Sequence, residues 1–390
     1  MNVTGDQALV KKLNRSIVLD TIRFHAPLSR AQVSARTGLN KATVSNLVSE
    51  LMADQLVRET GPGESSGGRK PLMLLFNRGA GYAIGIELSV SYVKGVLTDL
   101  EGHIVEERNA ALEATEVTFV LDTMRGMIAQ LIQAAPSSPH GIVGIGIGVP
   151  GMVDAEGTVL FAPNLGWDNT ALRQPLEREF GLPVTVDNEA NAGALGELHY
   201  GMTGDEQHAP RHLVYISVGS GIGSGIIMDG KPYKGAWGYA GETGHMSIDW
   251  DGLHCSCGSR GCWELYASER AYDHTAYDLP SSSTMRLLEL VRQGNEAARR
   301  VYEDIGTYLG IGITNIVNSF NPELVIIGGH LSEARPWLEP SLQSKVAERT
   351  LPYHRRELNV RFSQLGSRST VLGSAYSAIS AYLGHVRVSV

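Results

Sequence analysis

Apolar residues near the start of the chain return at helical spacing: Leu9, Leu13, Ile17, Val18 and Ile22. They predict a first helix ending near His25, with Pro27 marking the break. Ser29 is followed three places on by Gln32. This is a capping box, in which each side chain satisfies the other residue's backbone N–H. It predicts a second helix that runs to Thr37 and closes on a left-handed Gly38. Asn40 can cap a third helix, whose apolar face is Val44, Leu47, Val48 and Leu51. Lys41, Thr43, Ser45, Asn46 and Ser49 fall largely outside that face. Residues 56–59 and 72–76 read as two strands around a Gly/Ser-rich tip that ends in Arg69 and Lys70. Helix, glycine turn, helix and hairpin together make a winged helix-turn-helix. In that motif the second helix of the pair enters the DNA major groove. Lys41, Thr43, Ser45 and Asn46 on the helix, with Arg69 and Lys70 on the wing, are the candidate DNA contacts.

From Gly81 the pattern becomes α/β. Residues 83–88, 92–98 and 103–106 read as strands, 117–134 as a helix, and 142–149 as a strand apolar on both faces, as a central parallel strand is. A similar order returns with strands at 213–218 and 225–228, a helix at 301–317, a strand at 324–327 and a helix at 370–383. Two α/β lobes with a cleft between them fit this order, although the pattern does not fix their topology. The domains expected are 1–78, the DNA-binding head with its wing, and 79–390, the two-lobed body.

Charge sharpens that division. Residues 1–78 carry 11 Lys/Arg against 6 Asp/Glu, a net +5, whereas the rest of the chain is at −13. A basic head on an acidic body implies that only the head meets a polyanion. The longest charge-free apolar run, 141–153, has 13 residues and is too short to span a bilayer. No signal peptide is read at the N-terminus, so no membrane partner and a cytoplasmic location are expected.

Four constellations carry candidate chemistry. The run 217–225 is rich in glycine, which suits it equally to holding an anion with bare backbone N–H groups and to forming a plain hairpin. Cys255, Cys257 and Cys262 fall within eight residues, and a histidine completes a tetrahedral Cys₃His zinc set. His245 is the favoured fourth ligand, with the adjacent His254 the alternative. Asn188 and Glu189 stand between a strand and an Ala-rich helix. Ligand groups often sit at such a strand end, and a helix cap is the simpler use of Asn188. Finally Pro150-Gly151, Asn164, Trp167-Asp168, Glu242 and Glu264 supply the amides and carboxylates that a polyol needs, since each hydroxyl both donates and accepts.

Together these segments resemble the ROK family of repressors and sugar kinases over essentially the whole chain. Within it they are most similar to the xylose-operon repressors of Gram-positive bacteria. The most specific elements are 242–245 (Glu-Thr-Gly-His) and 255–264 (Cys-Ser-Cys-Gly-Ser-Arg-Gly-Cys-Trp-Glu). The resemblance implies two RNase H-like lobes of the actin and hexokinase type, a structural zinc and a sugar in the cleft. It implies that Asn164, Asn188, Glu189, Glu242, His245 and Glu264 line the sugar, with His245 serving zinc as well. It also implies a homodimer that is released from operator DNA by a monosaccharide, D-xylose foremost. Glucose, N-acetylglucosamine or a disaccharide is the alternative effector. The kinases of the family carry Asp-x-Gly-Gly-Thr around the ATP phosphates and an Asp as general base. Here those places hold 87–91 (Glu-Leu-Ser-Val-Ser) and Glu189, so an active kinase is the less favoured reading.

Overall fold

The computed structural model describes residues 7–62, 72–202, 210–274 and 284–384. The head consists of α1 (Gln7–His25), β1 (Leu28–Ser29), α2 (Arg30–Thr37), α3 (Lys41–Ala53), β2 (Val57–Pro62) and β3 (Leu72–Phe76), with its strands in the order β1-β3-β2. The capping box is present in full, Gly38 is left-handed at φ 71°, and the Asn40 side chain accepts from the Thr43 N–H at 2.8 Å. Val18, Ile22, Val33, Val44, Val48, Leu51 and Leu74 form the core of the head and are fully buried. That core is continuous with Ala83, Leu100, Val143 and Ile379 of the body, so the head is packed on the first lobe. The expected boundary at residue 78 falls within one 3₁₀ turn, Arg78–Ala80.

The first lobe contains β4 (Tyr82–Leu88), β5 (Tyr92–Asp99), β6 (Ile104–Ala111), α4 (Val117–Ala134), β7 (Ile142–Val149), β8 (Met152–Val153), β9 (Thr158–Ala162), β10 (Trp167–Ala171), α5 (Arg173–Phe180) and β11 (Val184–Asn188). The helix α6 (Glu189–Tyr200) follows. The second lobe contains β12 (Leu213–Val218), β13 (Ile222–Met228), β14 (Lys231–Pro232), α7 (Glu264–Ala267), α8 (Thr284–Arg292), α9 (Glu296–Phe320), β15 (Leu324–Gly328), α10 (Arg335–Arg349), α11 (Pro352–Glu357) and β16 (Asn359–Phe362); α12 (Ser369–Leu383) closes the chain. The two five-stranded sheets run β11-β7-β4-β5-β6 and β14-β13-β12-β15-β16. Numbered within each lobe, both read 3-2-1-4-5, with the second strand antiparallel to its neighbours and the fourth and fifth parallel. The body is therefore the duplicated RNase H-like fold that the resemblance implies.

The two lobes meet through α6 and α12, which pack on each other. α12 lies on the first sheet and α6 on the second. The alternating glycines of β7 have a structural reason here: a Cβ on Gly146 would stand 1.8 Å from the carbonyl oxygen of Ser374 on α12. The strand is therefore buried on both faces, but one face is bare backbone. The small antiparallel sheet β10-β9-β8 was not foreseen from the pattern; it carries residues 152–171 out beside the cleft.

Candidate functional site

Between the lobes lies a cavity of about 410 Å³. Strand ends and helix starts supply its polar groups, as expected for ligand sites in α/β folds. All six residues expected for a sugar line it: Asn164, Asn188, Glu189, Glu242, His245 and Glu264. Pro150 and Gly151 line it too, whereas Trp167 and Asp168 do not. Trp167 belongs to the first-lobe core and donates its indole N–H to the Thr115 carbonyl at 2.7 Å.

Asn188 has the capping role as well as a place in the cavity. Its Oδ1 accepts from the N–H groups of Ala190 (2.8 Å) and Asn191 (3.3 Å), and its Nδ2 donates to the Gly151 carbonyl at 2.9 Å. One amide hydrogen is left for a ligand. Glu189, the first residue of α6, is recessed in the cavity. Burial, reinforced by the charge of Glu87, holds its carboxyl pushed up to about 7. The Glu242 carboxyl is also raised by burial, and Glu264 adds to that shift while His245 opposes it.

Several residues in or beside the cavity carry no sequence signal as strong as these. Glu87 on β4 accepts a hydrogen bond from the Tyr92 hydroxyl at 2.7 Å, and His330 Nε2 lies 3.0 Å from the same hydroxyl across the cleft. Burial holds the Glu87 carboxyl above its ordinary range. Glu87 and Lys94 are register partners in strands that are apolar around them, and that charged pair was the available clue. Arg270 donates to Glu264 Oε1 at 2.9 Å and to Asn164 Oδ1 at 2.7 Å, joining the lobes at the cleft. Nothing in its local sequence marks it. The glycine-rich run divides in two. Gly219, Ser220 and Gly221 form the turn beside the cavity, whereas Gly225 on β13 makes room for α6, since a Cβ there would meet the Ala190 carbonyl oxygen at 2.1 Å.

The cysteines gather with His245. One ligand atom from each of His245, Cys255, Cys257 and Cys262 lies within 4.8 Å of all the others. Cys255 Sγ is 3.7 Å from His245 Nδ1, and the Sγ atoms of Cys257 and Cys262 are 3.6 Å apart. A tetrahedron with metal–sulfur bonds near 2.3 Å has edges of about 3.8 Å, so the spacing suits zinc. The loop returns to the cluster through Gly261, at φ +65°, where a Cβ would stand 1.6 Å from the Asp249 carbonyl oxygen. His254 is not in the cluster; it forms a β-bridge with Arg260. The choice between the two histidines thus falls to His245.

On the head, Lys41 and Asn46 are exposed and Thr43 and Ser45 half-buried on α3. Ser45 is already engaged, since Arg30 Nη1 donates to its Oγ at 3.0 Å while the same guanidinium pairs with Glu59. Arg69 and Lys70 lie outside the described residues.

The sequence profile of the ROK family matches residues 83–381, and the chain belongs to that family. It is 40% identical over 385 residues to the xylose repressor of Bacillus spizizenii, covering 98% of this chain and 99% of that one. It is 42% identical over 396 residues to the putative xylose repressor of a Caldicellulosiruptor species, covering 97% and 98%. Among solved structures it resembles a ROK family transcriptional regulator, a homolog of the E. coli MLC protein. The TM-score is 0.82 at 29% identity, over 96% of this chain and 97% of that one. The ROK glucokinase of Streptomyces griseus, in complex with glucose and AMPPNP, matches 75% of this chain and 98% of its own, at 28% identity and a TM-score of 0.67. The quarter of this chain that the glucokinase leaves uncovered is comparable to the share taken by the head.

Proposed function

We propose that the protein is a sugar-responsive transcriptional repressor whose effector is D-xylose. It would act as a homodimer that holds operator DNA through two winged heads. The observation that carries this reading is the pairing, in one chain, of a polar cavity between two lobes with a winged helix-turn-helix packed on the first of them. Near-full-length similarity to xylose repressors favours the pentose. Asn164, Asn188, Glu189, Glu242, His245 and Glu264 would hold its hydroxyls. Lys41, Thr43, Asn46 and, on the wing, Arg69 and Lys70 would meet DNA, with Ser45 a contact only if it exchanges Arg30 for a base or phosphate. In a twofold dimer the half-site spacing is geometric, so a small change in head placement breaks simultaneous docking. The sugar acts by binding the DNA-incompetent state more tightly.

His245, Cys255, Cys257 and Cys262 would hold a structural zinc, whose contribution is to folding. It would also fix the His245 ring at the cavity wall.

Phosphoryl transfer is disfavoured by the corner where the family's kinases cradle phosphates. Here Ser89 and Val90 take the places of the two glycines, so side chains stand in the cavity lining where phosphate oxygens would need bare backbone. No described helix is long and apolar enough to cross a membrane, in keeping with a DNA-binding protein. A thermal-shift panel of D-xylose, D-glucose, N-acetyl-D-glucosamine and disaccharides tests the effector. At 100 times its Kd the true ligand adds about 2.7 kcal/mol of stability. Stabilisation by D-xylose, with no ADP formed from sugar and Mg-ATP, supports the reading. ADP formation at enzymic rates overturns it.

A further inference from the structure

A buried arginine stands where head and body meet. Arg23 on α1 is 9% exposed and, among the described residues, the only arginine in the core. Its Nη2 donates to the Leu100 carbonyl at 2.9 Å, in the turn between β5 and β6. Its guanidinium lies 5.8 Å from the ring centre of Phe76, the last residue of β3. The other nitrogen, Nη1, is buried with no hydrogen-bond partner of good geometry, and so is the hydroxyl of Tyr200. The two residues converge on one turn, Arg23 through the Leu100 carbonyl and the Tyr200 ring through Gly102. A buried charge with a donor left unpaired is costly.

Tyr200 is the last residue of α6, and the first is Glu189 in the cavity. Twelve residues make a rod about 18 Å long. The Tyr200 ring rests on Gly102, whose φ of +87° and lack of a side chain let the phenol approach. The same turn thus receives α1 through Leu100 and α6 through Gly102. Along its length α6 meets its neighbours over bare backbone. A Cβ on Gly373 of α12 would stand 1.7 Å from the Ala192 carbonyl oxygen, and one on Gly196 of α6 would stand 2.1 Å from that of Ser369. The two helices therefore meet backbone to backbone, and small sliding of packed helices is a recognised mode of domain movement. Glu197, buried at mid-helix, accepts hydrogen bonds from Ser369 and Ser363 and ties α6 to the start of α12.

We infer that α6 is the element that reports occupancy of the cavity to the head, and that Arg23 and Tyr200, which meet the same turn at its far end, form the coupling pair. This rests on the sugar-responsive reading above. A ligand drawn onto Asn188 and Glu189 shifts the rod along its axis. The Tyr200 hydroxyl then gains or loses Arg23, and α1 carries the change into the head.

The test is a linkage measurement on the intact protein with Tyr200→Phe and, separately, Arg23→Met. Operator affinity is measured with and without saturating D-xylose, and D-xylose affinity with and without operator. Coupling between sites typically amounts to about 5- to 150-fold and is reciprocal. Both variants are expected to keep operator affinity without sugar, and sugar affinity without operator, within about threefold of wild type. Both are expected to lose most of the coupling factor in both directions. Tyr200→Phe removes a single oxygen and serves if Arg23→Met does not fold. A folded Tyr200→Phe with the wild-type coupling factor overturns the relay. A wild-type protein whose operator affinity ignores the sugar overturns the effector reading and the relay with it.

Discussion

Arg270 reaches from the second lobe to the amide oxygen of Asn164 on the first, at 2.7 Å, while holding Glu264 Oε1 at 2.9 Å. One guanidinium thereby orients two cavity residues and spans the cleft. Arg270→Met leaves the Glu264 carboxylate buried without its partner and frees the Asn164 side chain. We expect about a tenfold loss of D-xylose affinity, equivalent to roughly 1.4 kcal/mol. Calorimetric titration measures it directly. Unchanged affinity with an unchanged melting temperature would show that neither residue depends on Arg270.

Glu189→Ala removes a carboxylate recessed in the same cavity. A hydrogen bond to a charged acceptor contributes about 1.5–3 kcal/mol, or roughly 10- to 150-fold in affinity. The variant should therefore stay on the operator at D-xylose concentrations that release the wild type, with operator affinity in the absence of sugar unaltered. Release at the wild-type concentration removes Glu189 from the set of ligands.

Because the Glu189 carboxyl is pushed up to about 7, its charged form is only partly populated at neutral pH. D-xylose affinity is expected to fall as pH drops below about 7, approaching tenfold per unit, and to level off above. The stability of the unliganded protein follows the opposite sign. Between about 4.5, the ordinary value, and 7, the folded chain keeps a proton that the unfolded carboxylate has released. This group's contribution to stability is therefore present at low pH and is lost as pH rises through that window. Isothermal titrations from pH 6 to 8 check the binding half. A flat profile contradicts it.

Cys257→Ser takes one thiolate from a four-ligand set. Because zinc binding is coupled to folding, the variant should lose metal and melt at a lower temperature, or aggregate, rather than lose sugar binding selectively. Metal analysis of the purified wild type decides first: less than stoichiometric zinc contradicts the assignment.

Lys41→Ala tests the recognition helix. Lys41 is exposed at the start of α3 and free to meet DNA. Loss of a phosphate contact should weaken operator binding and lower the salt slope by about one unit. Loss of a base contact should instead relax specificity at one position. D-xylose binding should be untouched. An operator affinity and salt slope identical to wild type would take Lys41 out of the interface.

The head was legible almost residue by residue because its signals are local. The Ser29–Gln32 box, Gly38 and Asn40 each act within four residues of themselves. The order of strands in the body was not legible, since strand pairing joins segments far apart in sequence and alternation sets only which face a side chain takes. The cysteine cluster was legible from the spacing of Cys255, Cys257 and Cys262, but the choice of histidine needed the loop that brings His245 alongside Cys255. Asn188 fits both of its sequence readings, because capping α6 and facing the cavity are one placement. Arg270 and Tyr92 were hidden: each acts across the cleft on a partner 106 or 238 positions away, a relationship that no local pattern encodes.

The most direct measurement is operator release by D-xylose. A labelled operator duplex is held by the full-length protein at fixed salt, and the sugar is titrated in. The prediction is a saturable loss of binding driven by D-xylose, with D-glucose and N-acetyl-D-glucosamine weaker by at least about tenfold. Release by one of those sugars in place of D-xylose would contradict the effector. An operator complex that no sugar dissociates would contradict the repressor mechanism itself.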